Sequence, residues 1–137
     1  MEMDSNPKLR VVVSDDNGPM LRFICHILRP QFDVVEVVNV GGRAIDAVLK
    51  SRPDLLILEV LLPGLDGIQV VRRLRTLEAG CKIIMLTGLE TREYIDAAME
   101  AGAGGFVFKR RMATDLLLAI TEVMSGGSFV SSDPSRD

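Results

Sequence analysis

The 137 residues suffice for one domain with a single sizeable core. Hydrophobic residues make up 47% and charged residues 26%, a balance that excludes a disordered chain. The formal charge of −3 gives no bulk attraction to nucleic acid or anionic membrane, and two cysteines without C-x-x-C spacing, Cys25 and Cys81, argue against a disulfide scaffold or structural zinc.

Residues 1–8 are polar, contain a proline and read as a flexible leader. Their acidic start lacks the positive charge and apolar run of a signal peptide. The most apolar stretch, Leu55 to Leu62, is interrupted by Glu59 and closes at Pro63, far short of the roughly 18 residues needed to cross a bilayer. These features predict a soluble, cytoplasmic protein. Five short β-branched or apolar runs follow, at Leu9–Ser14, Val34–Val38, Asp54–Leu58, Lys82–Thr87 and Gly105–Phe108. Four are nearly continuous in apolar character, as strands covered on both faces are.

Helical spacing fills the gaps. Ala44, Ile45, Val48 and Leu49 share one face, as do Ile68, Val71 and Leu74. A helix starting near Thr91 stops at Gly102, and one carrying Leu116, Leu117, Ile120, Val123 and Met124 stops at Gly126-Gly127. Five βα units with right-handed crossovers imply a doubly wound parallel α/β sheet. The unit boundaries predict a domain over residues 9–127 and an aperiodic linker or tail over 128–137.

Ligands of an open doubly wound sheet bind beyond the carboxyl ends of its strands. The polar residues there are Asp15 and Asp16 after the first strand, Glu59 after the third, Thr87 after the fourth and Lys109 after the fifth. Singly each has an ordinary reading: an acid pair as a helix cap (Asp16 before a helix near Asn17), a threonine as structure, a lysine as solvated charge. Jointly they place three carboxylates, a hydroxyl and an ammonium on one edge. Close carboxylates call for a cation, and hard oxygen ligands favour Mg²⁺.

The segments VVVSDDN (11–17), PDLLILEVLLPGLDG (53–67), MLTG (85–88) and GFVFK (105–109) resemble the receiver domain of two-component response regulators over about residues 9–127. The Pro63-Gly64-x-Asp66-Gly67 turn and the final GGSFVSS resemble the LuxR/NarL-type subfamily, whose receivers precede a helix-turn-helix DNA-binding domain. The resemblance implies a flavodoxin-like (βα)5 fold with strand order 2-1-3-4-5. It also implies a phosphorelay switch, not an enzyme, that meets a sensor histidine kinase and controls transcription. Asp15, Asp16, the acceptor side chain and the Leu61 carbonyl would hold Mg²⁺. Thr87 and Lys109 would contact the phosphoryl group, and Phe106 would be the switch aromatic.

Where the family carries its phosphoacceptor aspartate, this chain has Glu59. Asp54 cannot stand in, because it precedes the strand and belongs to the opposite edge. Glutamate moves the carboxylate by roughly 1.5 Å, one carbon–carbon bond, and near-attack geometry tolerates such errors poorly. The form with Glu59 is therefore expected not to be phosphorylated and to bind Mg²⁺ weakly or not at all, the longer side chain either crowding the metal's octahedron or forming an ion pair with Lys109 that leaves the site empty. A second function class follows, a phosphorylation-independent pseudo-receiver acting as an interaction or dimerisation module. An aspartyl-nucleophile phosphatase is set aside, since it needs an aspartate nucleophile with an acid two residues later, and Glu59 and Leu61 stand at those positions. Flavin binding is disfavoured by the acidic SDDNGPM loop.

Arg110 and Arg111 extend the cationic edge, and their favoured reading is solvated loop charges, with reach to Glu59 or a partner as the alternative. His26 reads as a partly exposed helix residue and Cys25 as a small core residue. In the last helix, Leu118 faces outward if Leu117, Ile120 and Met124 face inward, which predicts a weak homodimer through this helix or the Phe106 edge. No helix-turn-helix is present, so contact with DNA needs a C-terminal domain outside these residues.

Overall fold

The computed structural model describes residues 8–132. The leader expected over residues 1–8, except Lys8, and the end of the expected tail lie outside the described residues. Strands β1 (Arg10–Ser14), β2 (Asp33–Val38), β3 (Leu55–Leu58), β4 (Lys82–Thr87) and β5 (Gly105–Phe108) alternate with helices α1 (Gly18–Leu28), α2 (Gly41–Ser51), α3 (Gly67–Thr76), α4 (Arg92–Ala101) and α5 (Met112–Met124). One 3₁₀ turn, Lys109–Arg111, links β5 to α5, and a short strand β6 (Phe129–Val130) follows.

All neighbouring strands pair in parallel, in the order β2-β1-β3-β4-β5-β6. This is the expected flavodoxin-like 2-1-3-4-5 sheet with one strand added at its edge. β6 lies in the segment that reads as an aperiodic tail. Two paired residues, Phe129 beside Gly105 and Val130 beside Phe106, are too few to register as alternation.

Alternate strand residues point to opposite faces, and the core divides accordingly. Val12, Leu56, Leu58, Met85 and Phe106 pack with α2, α3 and α4. Val11, Val13, Leu55, Ile57, Ile84, Leu86 and Val107 pack with α1 and α5. Burial on both faces explains the continuous apolar runs.

The helix starts are locally determined. Asn17 caps α1, its side chain accepting a hydrogen bond from the Met20 N–H at 2.9 Å. This corrects the expectation that Asp16 is the cap. Asp66 and Gln69 form a reciprocal capping box at α3, and Thr91 caps α4. At the amino-terminal edge Asp54 accepts from the Arg10 N–H at 2.8 Å, far from the candidate site as expected. Among the described residues, no helix is long and apolar enough to cross a membrane.

Candidate functional site

The ends of β1 and β3 are stitched side by side. The Glu59 N–H donates to the Ser14 carbonyl at 3.0 Å, and the Asp15 N–H donates to the Val38 carbonyl at 3.1 Å. Both acids are thereby drawn into the sheet edge, Asp15 at 1% exposure and Glu59 at 6%. Gly67 lets α3 come up against this edge. A Cβ at Gly67 would collide with the Glu59 carbonyl and the Val60 Cα, so the PGLDG turn needs glycine there for close approach. Gly64 adopts φ +89°, the second backbone requirement of the same turn.

Lys109 enters from the end of β5. Its Nζ lies 2.7 Å from Asp15 Oδ2 and 2.6 Å from Glu59 Oε1. Burial alone would push its pKa down, but the hydrogen bonds and charges of Asp15 and Glu59 outweigh burial and the net shift is upward. Asp15 Oδ1 accepts from the Asn17 N–H at 2.9 Å, and Glu59 Oε2 accepts from the Leu61 N–H at 3.1 Å. Each oxygen of the two buried carboxylates thus has a donor or an ammonium beside it.

A divalent cation at this edge would have to compete with that ammonium. The ammonium stands between the carboxylates, Asp16 is exposed, and no group of three acidic, histidine or cysteine side chains among the described residues is placed to hold a metal. The Leu61 backbone faces Glu59 through its N–H, and the Leu61 side chain is exposed. Glu59 is ion-paired with Lys109 in this geometry.

Thr87 is fully buried at the end of β4, and its Oγ1 accepts from the Leu89 N–H at 3.2 Å. Phe106 is fully buried in β5, with its ring edge-on to Phe108 at 6.2 Å. Arg110 and Arg111 do not reach Glu59. Arg110 pairs with Glu90 through two hydrogen bonds of 2.7 and 2.9 Å and lies 5.6 Å from the centre of the Phe108 ring. Arg111 pairs with Asp115 one turn along α5. Both are paired, and Arg110 stays exposed to solvent as well. His26 is exposed and Cys25 buried, with burial raising the Cys25 thiol pKa against the opposing pull of Arg29.

A sheet of this order with acids, threonine and lysine at four strand ends has a close counterpart among known proteins. Residues 11–121 match the model of the response regulator receiver domain. This chain belongs to that family. It is 34% identical over 119 residues to a protein of Pseudomonas aeruginosa named as a transcriptional regulator, covering 85% of this chain and 57% of that protein. It is 35% identical over 100 residues to the DNA-binding response regulator MtrA of Mycolicibacterium smegmatis, covering 73% and 43% respectively. The chain therefore spans about half the length of these two relatives. A crystal structure of a LuxR-family two-component response regulator from Aurantimonas sp. SI85-9A1 superposes with a TM-score of 0.87 at 26% identity, covering 94% of each chain. Receiver domains are signalling modules that generally bind Mg²⁺ at the phosphorylation site, and response regulators receive signals from histidine kinases.

Proposed function

We propose that this chain is the receiver of a two-component transcription regulator in which Glu59 occupies the phosphoacceptor position and no phosphoryl group is taken up. The carrying observation is the Lys109 ammonium between Asp15 and Glu59, at 2.7 and 2.6 Å. In a receiver that carries aspartate, the lysine and the metal neutralise the phosphoryl group during in-line attack. Here the longer side chain reaches the lysine itself. Its one negative charge imitates part of the charge of nearly two that a phosphoryl group would bring.

In this reading Asp15, Glu59, Thr87 and Lys109 form the site, Phe106 is the packing element that responds to it, and the ammonium serves as the cation for the buried acids. Mg²⁺ competes with that ammonium and binds weakly, through Asp15 and Asp16. The domain works in the cytoplasm as a non-enzymatic module that meets a histidine kinase. It acts on DNA only through a helix-turn-helix domain beyond these residues, in line with the names and greater lengths of the relatives.

The test is intact-mass measurement after incubation with acetyl phosphate and Mg²⁺. The unaltered chain should gain no phosphoryl mass and Glu59→Asp should gain one. Uptake by the unaltered chain, or none after the reversion, overturns the reading.

The pre-formed Glu59–Lys109 pair also favours a second reading, a phosphorylation-independent pseudo-receiver that dimerises or docks. Its surface would include α5, where Leu118 is 58% exposed, and Phe23 of α1 at 47%, both on the same side of the sheet. A regulator switched by Glu59→Asp and a module indifferent to it differ in one readout: whether association changes when the acceptor is restored and phosphorylated.

A further inference from the structure

One buried polar cluster lies outside the site just described. Along α5, Met112, Leu116, Ala119, Ile120 and Val123 face the core, and Asp115 sits among them at 5% exposure. A carboxylate there gains nothing from apolar burial and is tolerated only when fully paired. Its partners come from two directions. Arg111 Nε and Nη2 donate to Oδ2 and Oδ1 at 3.1 and 3.4 Å. The hydroxyl of Ser131, itself 4% exposed, donates to Oδ2 at 2.7 Å.

Ser131 lies just after β6. Its hydroxyl accepts from the Phe108 N–H at 3.1 Å, and its own N–H donates to the Phe106 carbonyl at 2.8 Å. Lys109 is thus bracketed. Phe108, the residue immediately before it, is held by Ser131 through its N–H, and Arg111, two residues after it, is held by Asp115, which Ser131 also holds. The 3₁₀ turn between these anchors is the segment that aims the ammonium at Asp15 and Glu59.

We propose that Asp115 and Ser131 are positioning residues for Lys109, and that docking of the segment after Gly127 is energetically coupled to the Lys109 ion pairs. The inference rests on the reading of Lys109 as the counter-ion of the site. It assigns a role to β6: the strand carries Ser131 to the point where one hydroxyl holds both the turn and the buried acid. Coupling of this kind is reciprocal, so loss of the ion pairs must loosen the docked strand by the same factor that loss of Ser131 loosens the ion pairs.

The experiment uses the whole chain, labelled with ¹⁵N, and follows the Lys109 Nζ resonance and backbone amide exchange. In the unaltered chain the Nζ signal should be that of a protected, paired ammonium. Ser131→Ala should move it toward free lysine, and Ser131→Thr, which keeps the hydroxyl, should restore it. In Lys109→Met the Ser131 amide should exchange about tenfold faster or more, as in a local opening. If Ser131→Ala only lowers the melting temperature and leaves the Nζ signal in place, Ser131 is structural and the proposal falls. Exchange at Ser131 unchanged in Lys109→Met overturns the coupling, whatever the fate of the serine variant. A free-lysine Nζ signal in the unaltered chain would instead overturn the ion-pair reading itself, so the two failures are distinguishable.

Discussion

Replacing Lys109 with methionine keeps most of the side-chain length and removes the ammonium that lies between two buried acids. The carboxylate oxygens of Asp15 and Glu59 that face the ammonium are no more than about 5 Å apart, and two like charges at that distance repel by about 3 kcal/mol at an effective dielectric of about 20. Breaking a buried pair by removing one partner generally costs about 3–5 kcal/mol, because the remaining charge is stranded. The Lys109 side chain is 19% exposed, so water reaches the site and the lower end applies. We expect a loss of about 3 kcal/mol at pH 7, a large share of the roughly 5–15 kcal/mol that holds a single domain together. In urea this is a fall in midpoint of about 1.5 M for a slope near 2 kcal/mol/M. A penalty below about 1 kcal/mol at neutral pH, the worth of an exposed surface pair, would falsify the argument that Lys109 is the site's built-in cation.

Two further outcomes can be measured. The Lys109 pKa is raised in the folded state, so its stabilising contribution is fully present below the ordinary value of 10.5 and is lost as pH rises through the higher folded value; the stability gap between the unaltered chain and Lys109→Met should therefore stay level from pH 8 to about pH 10 and close above that. Sedimentation should show a weak, concentration-dependent dimer that Leu118→Glu abolishes without changing the melting temperature, since this side chain is 58% exposed, and a strict monomer at high concentration would remove the α5 surface from consideration.

The sheet was legible because its strands are buried on both faces. Apolar runs such as Leu55–Leu58 and Lys82–Thr87 have no competing reading once helical spacing lies between them. What escaped was the edge. β6 makes two ladder pairs, and its anchoring is carried by Ser131, a residue that in a serine-rich stretch reads as linker. Asp16 escaped for a similar reason. An acid pair before a helix gives two candidate caps, but the capping oxygen comes from Asn17, while Asp15 folds back onto the Asn17 N–H. Which neighbour caps depends on backbone angles at the turn, and residue type alone does not distinguish them. In α5, the inward stripe runs through Leu116, Ala119, Ile120 and Val123, with Leu117 and Met124 half-buried at its flanks rather than at its centre.

Topology explains why the site's members could be named from sequence and their arrangement could not. A doubly wound sheet brings every strand's carboxyl end to one edge, so Asp15, Glu59, Thr87 and Lys109 must be neighbours wherever their side chains point. Whether two acids then share a metal or an ammonium depends on ångström-scale reach. With one more methylene than aspartate, Glu59 arrives at Lys109, and Asp15 Oδ2 has that ammonium as its counter-ion. A signal for the second layer was present in the sequence. An aspartate at an inward position of an apolar helix, with arginine four residues before it, is a poor fit to core packing and a good fit to a buried pair. Asp115 and Arg111 form that pair, and it lies directly beyond the lysine on which the site depends.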